Sequence, residues 1–257
     1  MIKTVLFDID GVLLSEERCF DASALSVWEL IHSPLYLGIQ SEVYTAQPDE
    51  AFIRSIRREV FANEEVLTFM KSRGMNSNWD MVFLTFGYQL LLLLEQVPTD
   101  VRNILLENSD IDRRSLKAFG EALPGDLSIS YTTFVEDFKA CKGSKQDLLL
   151  YLNELSKVKL GSTFKIFSRS SALWKIGQET YQEWYLGDTF VEDSIGKKPY
   201  QTGKQGFLTE EIPLAAPEEL RSLFKTIKDS GLAIGVGTGR PYIESYEPLK
   251  ALGLLEY

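Results

Sequence analysis

Two aspartates stand one residue apart at the end of an apolar run, in Val5-Leu6-Phe7-Asp8-Ile9-Asp10-Gly11-Val12-Leu13. Side chains alternate along an extended chain, so Asp8 and Asp10 share a side and Ile9 turns the other way. Two carboxylates that close repel each other, and a cation or a shared proton relieves the repulsion. Mg²⁺ is the hard cation that suits one or two carboxylates plus phosphate oxygens. One carboxylate of such a pair can attack phosphorus and form an aspartyl phosphate. The other can protonate the leaving oxygen and then activate water. A solvated acidic turn has the same spelling. Near the other end, Ala233-Ile234-Gly235-Val236 runs into Gly237-Thr238-Gly239-Arg240, which sets a hydroxyl and a guanidinium in a glycine-rich turn. A turn that opens into a helix suits an anion, through free N–H groups and the helix dipole.

The elements around these residues read as α/β. Ile2 to Ile9 is a short run rich in apolar and β-branched residues closed by Asp10-Gly11, the pattern of a strand buried on both faces. Pro217 opens a helix with Leu220, Leu223, Phe224 and Ile227 at helical spacing, and Gly231 stops it. Leu232 to Val236 is a second buried strand, and Pro241 starts another helix. Helix, strand, loop, helix is the order of a parallel sheet, in which ligands gather at the carboxyl ends of strands. The middle is helical. Ile53, Ile56 and Val60 share one face, Ser144 with Asp147 resembles a capping box before Leu148–Leu155, and Met81 to Val97 reads as a buried helix. Leu173, Trp174, Ile176, Tyr181, Trp184 and Tyr185 mark an aromatic-rich helix, and Gly187 to Pro217 is the best linker. Residues 1–20 and 212–257 thus form parts of an α/β core that bracket a helical insertion, 21–211.

The chain has 257 residues, enough for a sizeable core without disulfides or a structural metal. Its net charge is −10, which repels nucleic acid and anionic lipid at long range, so neither nucleic acid nor membrane is expected as a partner. Two distant cysteines, Cys19 and Cys141, make no disulfide framework, and a reducing cytoplasm is the expected compartment. The N-terminus turns acidic at Asp8, before any signal-peptide apolar region develops. His32 has no second histidine or thiol nearby and reads as a helix-end residue. Gly235-Val-Gly237-Thr-Gly239 also weakly suggests dinucleotide binding. Against that, the acidic ribose-binding residue expected ~20 positions further on has no room before Tyr257.

Phe7-Asp8-Ile9-Asp10-Gly11-Val12-Leu13 resembles the first signature of the haloacid dehalogenase (HAD) superfamily of phosphohydrolases, and Ala233 to Thr238 resembles the second. The resemblance implies a Rossmann-type parallel core with a large helical cap inserted at 21–211. It makes Asp8 the nucleophile and Asp10 the general acid/base. Asp8 and the backbone carbonyl of Asp10 would hold Mg²⁺, and Thr238 with the Gly239 N–H would hold phosphate. Arg240 would steer substrate into the site. The implied substrate is a small phosphorylated metabolite, and a phosphomutase shares the first chemical half. Trp184, Tyr185, Lys197, Lys198 and Tyr200 are candidate substrate contacts from the cap.

The resemblance stops short of the family's later signatures. A complete core adds a lysine and then an acidic pair on a further strand. Lys250 is the one lysine after Thr238, far along its helix, and Glu244, Glu247 and Glu256 follow no further strand. Two readings stand: the N-terminal portion of a longer polypeptide that supplies the missing C-terminal core segment, or a short form without a complete active site. Either way this chain alone should turn over phosphate esters slowly or not at all. The rival function is a non-catalytic module in which the insertion binds a partner and the partial core is scaffold.

Overall fold

The computed structural model describes residues 3–108, 110–161 and 166–257. It is mostly helical, with a small parallel sheet of two strands, β1 (Thr4–Phe7) and β2 (Ala233–Val236). The helices are α1 (Glu17–His32), α2 (Glu50–Val60), α3 (Glu65–Ser72), α4 (Asn78–Gln96), α5 (Thr99–Leu106), α6 (Arg113–Glu121), α7 (Phe134–Phe138) and α8 (Gln146–Leu160). Three more follow: α9 (Ala172–Ile195), α10 (Pro217–Asp229) and α11 (Tyr242–Ala251). Ile2, expected at the start of the first strand, lies outside the described residues. No helix among the described residues is long and apolar enough to cross a membrane.

The chain divides into two compact units, residues 1–20 with 183–257, and residues 21–182. The first unit therefore takes in 183–211, a stretch the sequence pattern assigns to the insertion. The reason is local to that stretch. Gly187 adopts φ 67° and breaks α9, and a Cβ placed there would collide with the Gln205 carbonyl. Only glycine allows so close a crossing of two backbones. Beyond the kink the chain folds back: Phe207 and Leu208 donate their N–H groups to the Tyr185 carbonyl at 2.8 and 3.0 Å. Glu183 accepts from the Tyr200 N–H and from Lys204 Nζ, both at 2.7 Å, and Lys204 is buried. What reads as a linker is a folded return.

In this unit β1 and β2 pair in register Thr4↔Ala233 through Phe7↔Val236. A core of Ile9, Leu13, Leu14, Leu220, Phe224, Leu249, Leu252 and Leu254 gathers beside them. Phe224 of α10 stacks on Phe7 at 4.8 Å between ring centroids. Leu223, at helical spacing with these apolar residues, is 45% exposed. The opposite face of the sheet is open, and Leu6 there is 70% exposed, its Cδ2 lying over Gly235.

Among the described residues, the regular elements of the second unit are all helices. Most of α4 is buried, its polar Asp80, Thr85 and Gln89 included. Gly87 in its middle lets α8 approach: a Cβ there would lie 3.0 Å from Leu152 Cδ1. Ile53, Ile56 and Val60 form the buried stripe of α2. The helix after Ser144 begins with half the expected capping box. Asp147 accepts from the Ser144 N–H at 3.1 Å, while the N-cap position is Lys145 and no side chain caps the helix there. His32 ends α1, with Nδ1 2.6 Å from the Ile39 carbonyl oxygen.

Candidate active site

The parallel register brings the two sequence motifs to the same end of the sheet. Gly237 N–H donates to the Phe7 carbonyl at 2.9 Å, so Asp8 and Thr238 each lie one residue beyond that bond. Asp8 is exposed, and its Oδ1 accepts from the Ile9 N–H at 2.7 Å. Past it the chain turns tightly. Gly11 takes φ 72°, Gly11 N–H donates to the Leu14 carbonyl, and the Leu13 and Leu14 N–H groups converge on the Ile9 carbonyl. That turn anchors Ile9, Leu13 and Leu14 in the core and leaves Asp8 and Asp10 on the accessible side. Thr238 is half-buried, its Oγ1 accepting from the Arg240 N–H at 3.3 Å, and Gly239 is exposed just before α11.

Arg240 lies elsewhere than a substrate-steering residue would. Its side chain is 6% exposed. Nε donates to both Asp10 oxygens at 3.0 and 3.1 Å, and Nη2 donates to Asp10 Oδ1 at 2.5 Å. Nη1 donates to Tyr185 Oη at 2.6 Å, to Glu211 Oε1 at 2.7 Å and to the Glu244 carbonyl at 3.2 Å. Tyr185 Oη in turn donates to Glu211 Oε1. Burial alone would lower the Arg240 pKa. The Asp10 bond and the charges around Tyr185, Glu211 and Cys19 outweigh it and raise that pKa, so the guanidinium stays charged. Burial, with Cys19 and Glu211 adding to it, raises the Tyr185 phenol well above its usual range.

Two expected substrate contacts are buried: Trp184 and Tyr185 are 3% and 1% exposed. Lys197, Lys198 and Tyr200 are exposed. Sequence reasoning missed Glu211, which is 4% exposed in its side chain and shares Arg240 with Asp10. Glu210-Glu211 sits between Thr209 and Ile212 with no periodicity that would mark one glutamate as buried. Its partners, Tyr185 and Arg240, come from two other segments, and no local signal reports them.

For a metal, the oxygens offered are the Asp8 carboxylate and the Asp10 carbonyl, since the Asp10 carboxylate is engaged by Arg240. Two hard oxygens fit an ion such as Mg²⁺, which keeps several waters when bound. Among the described residues no group of three or more His, Cys, Asp or Glu side chains stands where it could hold a metal.

The chain is thus an α/β protein, mostly helical, with a small parallel sheet whose carboxyl end carries acidic and hydroxyl side chains. No family model and no curated protein matches it. A solved X-ray structure, described only as a Northeast Structural Genomics Consortium target, matches with a TM-score of 0.88 and 36% identity. That match covers 100% of this chain and 68% of the other. The two proteins belong to one family, and that description names no activity.

Proposed function

We propose that this chain carries the nucleophile and phosphate-binding half of a Mg²⁺-dependent phosphohydrolase of the HAD type, acting on a small phosphorylated metabolite. The observation that carries the reading is the parallel register, which sets Asp8 and Thr238 one residue beyond a shared backbone bond. In the proposed reaction Asp8 attacks phosphorus in line, and the bond to the leaving oxygen breaks. Asp10 gives that oxygen a proton. Water, giving a proton back to Asp10, then cleaves the aspartyl phosphate and restores Asp8. The Thr238 hydroxyl and the Gly239 N–H at the start of α11 hold phosphate oxygens. Asp8 and the Asp10 carbonyl would hold Mg²⁺, which when bound offsets the negative charge gathered by phosphate and nucleophile.

A complete site of this kind also needs a cation and an acidic pair, which we take to come from a segment outside this sequence. The open sheet face with Leu6 exposed supports that view, as does the length of the related solved chain beyond the match. Turnover by this chain alone is accordingly expected to be slow, since each missing stabiliser of transition-state charge costs ~10²-fold or more. The reading is tested with p-nitrophenyl phosphate and Mg²⁺. Hydrolysis should be measurable, should stop on chelation, and should fall by on the order of 10³-fold or more in Asp8→Asn. Hydrolysis that survives Asp8→Asn would contradict it. Among the described residues no third acidic ligand joins Asp8 and Asp10, which keeps a second reading, a binding module on a partial core that predicts no hydrolysis at all.

A further inference from the structure

We propose that Arg240 is a positioning residue, held from behind by Glu211 and Tyr185 so that its other edge fixes the carboxylate of Asp10. The inference rests on the reading of Asp10 as the proton-transfer group. Its geometry is that of a two-sided clamp. The Nε and Nη2 side of the guanidinium faces Asp10 at 2.5–3.1 Å, and Nη1 faces Glu211, Tyr185 and the Glu244 carbonyl at 2.6–3.2 Å. A planar guanidinium can serve both sides at once, whereas a lysine ammonium is a single point charge on a flexible stem. The clamp joins residues far apart in sequence: Asp10 after β1, Tyr185 in α9, Glu211 before α10 and Arg240 before α11. Asp10 is 34% exposed, so without the clamp its short side chain is free to turn into solvent. At 6% exposure, with its donors committed inward, Arg240 has no edge to offer a substrate.

A proton-transfer group displaced by about 1 Å loses up to ~10²-fold in rate. Arg240→Lys and Tyr185→Phe should therefore lower kcat for p-nitrophenyl phosphate, by ~10–100-fold for the first and less for the second, with KM changed by less than about twofold. In an Asp10→Asn background, Arg240→Lys should cost no further activity, because the group it positions is gone. A raised KM with kcat intact would overturn the clamp in favour of substrate contact. So would equal losses in the wild-type and Asp10→Asn backgrounds. Should the wild-type chain show no hydrolysis, the preceding proposal fails. The clamp is then decided by urea midpoints of Asp10→Asn, Arg240→Lys and the double variant. Non-additive shifts support it and additive ones overturn it, and Tyr185→Phe replaces Arg240→Lys in that cycle if the lysine variant does not fold.

Discussion

Arg240 carries one positive charge between two carboxylates, those of Asp10 and Glu211. Removing it leaves Glu211 buried with an uncompensated charge, a loss of ~3–5 kcal/mol for such pairs, so Arg240→Ala tests folding more than chemistry. Tyr185→Phe is milder. It removes one hydroxyl from the cluster and should cost ~1–2 kcal/mol in urea unfolding with secondary structure unchanged. His32 offers a separate test by pH. Burial lowers its pKa, outweighing the Ile39 carbonyl bond and the nearby Glu59 and Glu42, which raise it. The unfolded histidine protonates near 6.5, while the folded one resists protonation until lower pH. The folded state thus binds fewer protons in that window, and stability falls as pH drops below about 6.5, by at most ~1.4 kcal/mol per pH unit. His32 is the single histidine in the chain, so His32→Gln should flatten the loss of stability between about pH 7 and about pH 5.5. An unchanged slope would show that burial does not act on His32 in this way.

Helix α10 holds the two strands through Phe224, which is 2% exposed and stacks on Phe7. Phe224→Ala should cost ~3–5 kcal/mol, read as a lowered urea midpoint, because the cavity opens directly against β1. The two strands, α10 and α11 were legible in sequence because their signals are local: a short apolar run, Pro217 in the first turn, Gly231 at the stop and Pro241 before the last helix. The kink of α9 was not legible, since Gly187 matters there only because Gln205 and Gly206 cross it from another part of the chain. Gly187→Ala should therefore destabilise by at least ~1–3 kcal/mol, combining a positive φ with the collision. The site divides the same way. Asp8, Asp10 and Thr238 stand out by spacing, whereas the burial of Arg240 and the part played by Glu211 follow from contacts across the fold.

At the scale of the whole chain, residues more than two hundred positions apart form one sheet and one acidic cluster. The sheet shows an open face at Leu6, whose side chain is 70% exposed. Leu6→Ser should shift stability by less than about 0.5 kcal/mol and reduce binding of an apolar dye, which would mark the face as accessible. The central claim is that Asp8, at the end of that sheet, becomes covalently phosphorylated. Its most direct measurement is mass spectrometry of the protein quenched in acid after incubation with p-nitrophenyl phosphate and Mg²⁺. The account predicts a hydroxylamine-sensitive phosphoryl group on the peptide containing Asp8, absent in Asp8→Asn. Hydrolysis proceeding with no adduct at Asp8, or with the adduct on another residue, would contradict it.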